Sequence, residues 1–203
     1  MSVPAPIPDD NKRFSQLQEE SSPWKNWHLP RKGLLLFCPH KLVDSVQQIK
    51  VEELLEKGIR GIILDLDNTL VRWRRADLSK EIQNWLSELQ RAGIRLCILS
   101  NSVLSERPKR LAEQLGISNI RKAHKPARSG FRRALEALGT PPSATAIIGD
   151  QMFTDIWGGN RAGIYTIMVR PLHPGEFIYT RLISRPPERF LLRLFRRRGN
   201  LEE

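Results

Sequence analysis

Four short runs, GIILDL (61–66), IRLCIL (94–99), ATAIIG (144–149) and IYTIMV (164–169), are almost continuously apolar. A strand with one face in water alternates apolar and polar residues, so an unbroken run marks a strand covered on both faces, as in a parallel sheet between helices. SNIRKA (118–123) is a weaker, edge-like candidate. Between the runs lie segments of helical spacing: Ser79 to Ala92, with Ile82, Trp85, Leu86 and Leu89 three and four apart, then Leu104 to Leu115 and Ser129 to Leu138. Gly93, Gly116 and Gly139 each follow a helix where a left-handed cap is favoured. Strand and helix alternate, which predicts an α/β fold with a doubly wound, mainly parallel sheet.

The 203 residues suffice for one sizeable core. Residues 1–31 combine five prolines with polar residues and read as an extended or disordered arm, with Trp24 and Trp27 as its bulky anchors. Residues 32–185 form the expected domain, and 186–203 a basic amphipathic segment. Cys38 and Cys97 do not make a disulfide framework and suit a reducing cytoplasm. With no long apolar stretch and no leader-like N-terminus, the expectation is a cytoplasmic protein, soluble or peripheral to a membrane.

A net charge of +11 implies attraction to polyanions. Arginines crowd 181–198 and, less densely, 107–133, and Arg72, Arg74 and Arg75 lie close to the first acidic cluster. Most of these read as solvated faces; the last three would also steer an anionic ligand. The C-terminal segment, with Phe190, Leu191, Leu194 and Phe195 among arginines, reads as a docked helix or a shallow anchor on anionic lipid. CPH at 38–40 is read as a loop, because one Cys and one His make a poor metal site.

In a doubly wound sheet the ligand site lies beyond the carboxyl ends of the strands. Asp65, Asp67 and Thr69 follow the first run, Ser100 and Asn101 the second, Lys125 the weak third, and Asp150 and Asp155 the fourth. This inventory suits phosphoryl transfer through an aspartyl-phosphate. Asp65 can attack phosphorus without an adjacent base, provided a cation offsets its repulsion from the substrate. Mg²⁺ takes hard oxygen ligands, and Asp65, Asp150 and a backbone carbonyl would suffice. Asp67 would protonate the leaving oxygen and then activate water, while Lys125 and Ser100 hold the phosphoryl oxygens. Thr69 and Asn101 complete the expected substrate-binding set, with Asn101 alternatively positioning the loop.

DLDNTL, LSNS, KP and GDQMFTD, in that order over roughly residues 61–170, resemble the four motifs of the haloacid dehalogenase superfamily of phosphatases. The resemblance implies a Rossmann-like fold, Asp65 as nucleophile, Asp67 as acid/base, Ser100 as phosphate binder, Lys125 as the charge-neutralising amine, and Asp150 with Asp155 as the acids of the last motif. Asp67 joins Asp65, Asp150 and Asp155 in the expected Mg²⁺ set, and Asp155 reads equally as a helix N-cap. KPARSGFRRAL, GDQMFTDIWGGNRAG and VRPLHPGEF are similar to the YqeG group of subfamily IIIA, which is related to phosphatases of phosphatidylglycerophosphate. The intervals from Asp67 to Ser100 and from Lys125 to Asp150 leave room for a helix and its turns but not a lid domain, so a capless site is expected. Such a site accepts a phosphate presented on a membrane or macromolecule. A lipid phosphate is the expected substrate, with a soluble phosphometabolite or a phosphoprotein as alternative. A nucleic-acid or ribosome-associated binding module is the reading of another class.

Overall fold

The structure is a computed structural model that describes residues 36–67, 69–70, 78–102 and 105–171. The N-terminal arm, Arg72, Arg74 and Arg75 and the basic C-terminal segment lie outside the described residues. The described part contains six parallel strands: β1 (Lys41–Val43), β2 (Gly61–Leu64), β3 (Arg95–Leu99), β4 (Ser118–Ile120), β5 (Thr145–Gly149) and β6 (Tyr165–Val169). They are ordered β1-β6-β5-β2-β3-β4. The helices are α1 (Val51–Glu56), α2 (Lys80–Arg91), α3 (Arg107–Leu115), α4 (Arg128–Leu138) and α5 (Trp157–Arg161).

The unbroken apolar runs are explained by two cores. Ile62, Leu64, Leu96, Ile98, Ala146 and Ile148 face one cluster, where they meet Leu54 of α1, Leu86 and Leu89 of α2 and Leu111 of α3. Ile63, Cys97, Leu99 and Ile147 face the other, with Phe131, Ala134 and Leu138 of α4. Successive strand residues point to opposite faces, so a strand between two helix layers favours apolar side chains on both, and the buried exceptions, Thr145 and Thr166, are hydrogen-bonded. Cys97 is one of these core residues, and burial pushes its thiol up to about 12.

The expected elements are present, the strands shorter than expected by one to three residues, α2 and α3 by two and three, and α4 longer by one. α2 begins at Ser79, whose Oγ accepts the Ile82 N–H at 3.4 Å, and α3 and α4 end on Gly116 and Gly139 with φ of +65° and +60°. SNI pairs only with β3, as an edge strand. β1 and α1 were not foreseen: three residues of β1 carry too short a pattern to read. CPH is a loop, as expected. The His40 N–H donates to the Thr166 carbonyl at 2.9 Å, and Asn160 Nδ2 donates to the Leu36 and Cys38 carbonyls, holding this stretch against β6 and α5.

Among the described residues, the interval from Lys125 to Asp150 holds α4, a 3₁₀ turn at Pro142–Ala144 and β5, and that from Asp67 to Ser100 holds α2 and β3. Neither carries a lid domain there. No helix among the described residues is long and apolar enough to cross a membrane.

α5 lies unusually close to the sheet, and its glycines are the reason. A Cβ on Gly159 would come within 2.6 Å of Ile147 Cγ2 and 2.8 Å of Thr166 Cγ2, both on buried strand residues. Alanine improves helix propensity by about 1 kcal/mol, but overpacking a rigid core costs about 1–3 kcal/mol. Gly159→Ala is therefore expected to lower the midpoint of urea unfolding despite its better propensity. An unchanged or raised midpoint would show that α5 can lift without cost.

Candidate active site

β2 and β5 are neighbours, yet the chain leaves β2 toward β3 and reaches β5 only after returning from β4. The crevice of a doubly wound sheet opens where the strand order reverses in this way. Asp65 directly follows β2 and Asp150 directly follows β5, and the Asp65 N–H donates to the Ile148 carbonyl at 2.9 Å. The register alone brings the two carboxylates to one edge.

Lys125 arrives from farther away, over the end of β3. The Ser100 N–H donates to the Ile120 carbonyl at 3.0 Å, and the Ala123 N–H to the Ser100 carbonyl at 3.1 Å. Asn101 then clamps the loop: its Oδ1 accepts the Lys125 N–H at 2.6 Å, and its Nδ2 donates to the Lys125 carbonyl at 3.1 Å. Lys122 and His124 adopt φ of +50° and +53° to make the turn, a backbone cost of about 1–3 kcal/mol each for non-glycine residues. The outcome is an ammonium delivered to the crevice. Lys125 Nζ donates to Asp65 Oδ1 at 2.5 Å and to Asp155 Oδ1 at 2.6 Å, with all three side chains nearly inaccessible.

Asp155 lies in a single π-helical turn, Met152–Ile156, a local widening that recurs at functional sites. Its Oδ2 accepts the Gln151 N–H at 3.1 Å, so both oxygens are engaged. The N-cap of α5 is Ile156, not Asp155, which disposes of the capping alternative. Gly149 makes the place available: a Cβ there would lie 2.4 Å from Asp155 Oδ2.

Thr69 Oγ1 donates to Asp65 Oδ2 at 3.4 Å. Ser100 is buried, and its Oγ accepts the Ser102 N–H at 3.1 Å, which leaves its own hydroxyl proton to donate. Asp65, Asp150 and Asp155 each present an oxygen within 4.8 Å of the others. Asp67, expected with them in the Mg²⁺ set, is not part of this trio. Its carboxylate is about one-third exposed, and Arg107 donates to its Oδ1 at 3.0 Å. Asn101 acts here on the loop backbone, as the alternative reading had it. Arg107 and Gly149 were not anticipated, because an arginine in a basic run and a glycine at a strand end have many commoner explanations.

The charges do not balance. Burial raises the Asp65 carboxyl to about 7, with Lys125 pulling down and Asp155 and Asp67 pushing further up. Burial also lifts Asp150 well above the ordinary range, helped by the charges of Asp65 and Asp155. Burial works against the Lys125 ammonium, but the carboxylates of Asp155 and Asp65 outweigh it and its pKa is raised. Three buried carboxylates thus share one amine. Asp150 Oδ1 is buried with no hydrogen-bond partner among the described residues, an arrangement that is costly unless a cation is bound. A hard divalent ion fits this donor set.

The same imbalance affects stability. Asp65 titrates near 4 in an unfolded chain and near 7 in the folded protein, so the folded state binds more protons between those values and loses stability as pH rises through them. In chelator, thermal melts from about pH 5 to about pH 8 are expected to fall less steeply for Asp65→Asn than for the wild type. Asp65→Asn should also be the more stable protein at the upper end. Parallel profiles would mean that the Asp65 charge is already compensated.

The haloacid dehalogenase-like hydrolase family pattern matches residues 72–163. The probable phosphatase YqeG of Bacillus subtilis (strain 168) is 38% identical over 166 residues, covering 82% of this chain and 95% of that protein. The chloroplastic/mitochondrial phosphatidylglycerophosphate phosphatase 1 of Arabidopsis thaliana is 29% identical over 78% of this chain and 45% of that protein. The chloroplastic enzyme of the same name from Chlamydomonas reinhardtii is 29% identical over 68% of this chain and 54% of that protein. This chain spans about half the length of these two relatives. On the motifs, the sheet and the extent of the match to YqeG, the chain belongs to the haloacid dehalogenase-like hydrolases.

Proposed function

We propose that this protein is a Mg²⁺-dependent phosphomonoester hydrolase that works through an aspartyl-phosphate on Asp65 and acts on a lipid head group such as phosphatidylglycerophosphate. The observation that carries the reaction type is the bridge of Lys125 Nζ between Asp65 and Asp155 beside Asp150 Oδ1, which has no partner among the described residues. It is an anionic nucleophile already accompanied by the amine that a phosphoryl group needs.

An Asp65 oxygen attacks phosphorus as the bond to the leaving oxygen breaks, and Asp67 supplies a proton to that oxygen. Water then attacks the acyl phosphate, its proton passes to Asp67, and Asp65 is released with inorganic phosphate. Lys125 and the Ser100 hydroxyl hold the phosphoryl oxygens, where charge is spread in the transition state. Asp155 keeps Lys125 charged and aimed, and Thr69 orients Asp65. Mg²⁺ held by Asp65 and Asp150, with Asp155 beside them, would neutralise the incoming phosphate and so allow two anions to meet.

The lipid substrate draws support from the phosphatidylglycerophosphate phosphatases among the relatives and from the absence of a lid domain among the described residues. A site without a lid domain would suit a phosphate presented at a surface. The net charge of +11 suits an anionic one, and a cytoplasmic enzyme meeting its substrate at the membrane surface is the location we propose.

Detergent-dispersed phosphatidylglycerophosphate, a panel of sugar phosphates and a phosphopeptide, each assayed with Mg²⁺ and with chelator, test this directly. Release of phosphate from the lipid is expected to exceed that from the others and to fall by about a thousand-fold or more in Asp65→Asn. Preference for a soluble ester or the phosphopeptide would move the substrate. Turnover that survives Asp65→Asn would sink the mechanism. Asn101→Ala is expected to lower kcat about ten-fold or more through a misplaced Lys125 amine; unchanged kcat would show that the loop holds without its clamp.

A further inference from the structure

Arg107 is in the wrong place for stability. It opens the nine-residue helix α3, whose first turn contains no acidic residue, so its positive charge sits at the positive end of the helix dipole. Glu106 at the N-cap makes no side-chain capping bond that would compensate. Arg107 Nε is buried without a hydrogen-bond partner among the described residues, although a buried unsatisfied donor costs about 1–3 kcal/mol. Against these costs stands one strong contact, the 3.0 Å bond from Nη2 to Asp67 Oδ1. Both partners are only partly exposed, and they come from chain segments 40 residues apart.

We propose that Arg107 is the positioning residue for Asp67, fixing by its bond to Oδ1 which carboxylate oxygen carries the proton to the leaving group. The inference rests on the phosphatase reading above. A guanidinium has donors only, so Oδ1 must accept, and a proton on Asp67 resides on Oδ2. Without that bond the short side chain can rotate and exchange its two oxygens. In the first step the Asp67 Oδ2 proton passes to the leaving oxygen as the phosphorus–oxygen bond breaks and the Asp65–phosphorus bond forms. In the second, a water proton returns to Oδ2 as the Asp65–phosphorus bond breaks, so Asp67 ends as it began.

A role in aiming the proton differs from a structural tether in its dependence on the leaving group. p-Nitrophenolate departs without a proton, whereas the more basic phenolate needs one, and the two esters are nearly the same shape. The ratio kcat/KM reports the steps up to departure of the phenol and excludes hydrolysis of the acyl phosphate. Arg107→Ala is expected to lower kcat/KM for phenyl phosphate about ten-fold or more and that for p-nitrophenyl phosphate by less than about three-fold. kcat for both should fall together wherever hydrolysis limits turnover. Arg107→Gln, which can still donate to Oδ1, is expected to recover much of the phenyl phosphate loss.

In Arg107→Ala/Asp67→Asn, kcat/KM for phenyl phosphate should be no lower than in Asp67→Asn alone, because Arg107 acts through Asp67. The near-normal p-nitrophenyl phosphate value doubles as the folding control. Equal losses on both esters, or losses that multiply in the double variant, would overturn the proposal. Wild-type protein that hydrolyses neither ester with Mg²⁺ would overturn the phosphatase reading and this inference together. Wild-type turnover abolished by Asp65→Asn but indifferent to Arg107 would overturn this inference alone.

Discussion

The ammonium of Lys125 lies between the carboxylates of Asp65 and Asp155, and much of the local architecture serves to keep it there. An amine and two acids, all almost fully buried, would each be expensive in a dry interior. Their contact offsets part of that cost and requires three segments to meet: the end of β2, the loop beyond β4 and the turn beyond β5. Each has its own device. β2 needs only its register with β5, the loop needs the Asn101 clamp and two left-handed residues, and the turn needs a π-helical widening over Gly149.

One amine serves three buried carboxylates, and that excess of acid at Asp150 is what distinguishes this cluster from a structural ion pair. A core selected for stability would remove the third carboxylate. Burial raises the proton affinity of Asp65 and, together with the charges of Asp65 and Asp155, that of Asp150, whose Oδ1 has no hydrogen-bond partner among the described residues. Arg107 follows the same pattern at the rim, bearing an unfavourable helix position for the sake of Asp67. Local rules of stability are broken where chemistry is expected and kept elsewhere, as Ser79 at the start of α2 and the glycines ending α3 and α4 show.

The sheet was legible because its signal is local and repeated. An apolar run without alternation has one economical meaning, and four of them separated by amphipathic segments leave little choice of architecture. Edge elements were less legible: β1 is three residues long and makes its contacts with β6, more than a hundred residues away in sequence. The acids, the hydroxyl and Lys125 were found because each follows a strand, and the strand ends share an edge. Arg107 had no such marker, since nothing in RPKRL distinguishes a half-buried arginine from its solvated neighbours.

Residue order by itself determined the fold class, the succession of motifs and which side chains stand beyond the strand ends, because these follow from hydrophobic pattern and chain direction. Only the tertiary structure decided how those side chains divide the work. Asp155 became the partner of Lys125 instead of a helix cap, because a π-turn over Gly149 directs it inward. Asp67 stands apart from the trio of buried carboxylates, its Oδ1 taken by Arg107 of α3. Such pairings depend on contacts of a few ångströms between residues 30 to 60 positions apart, and no local pattern encodes those distances.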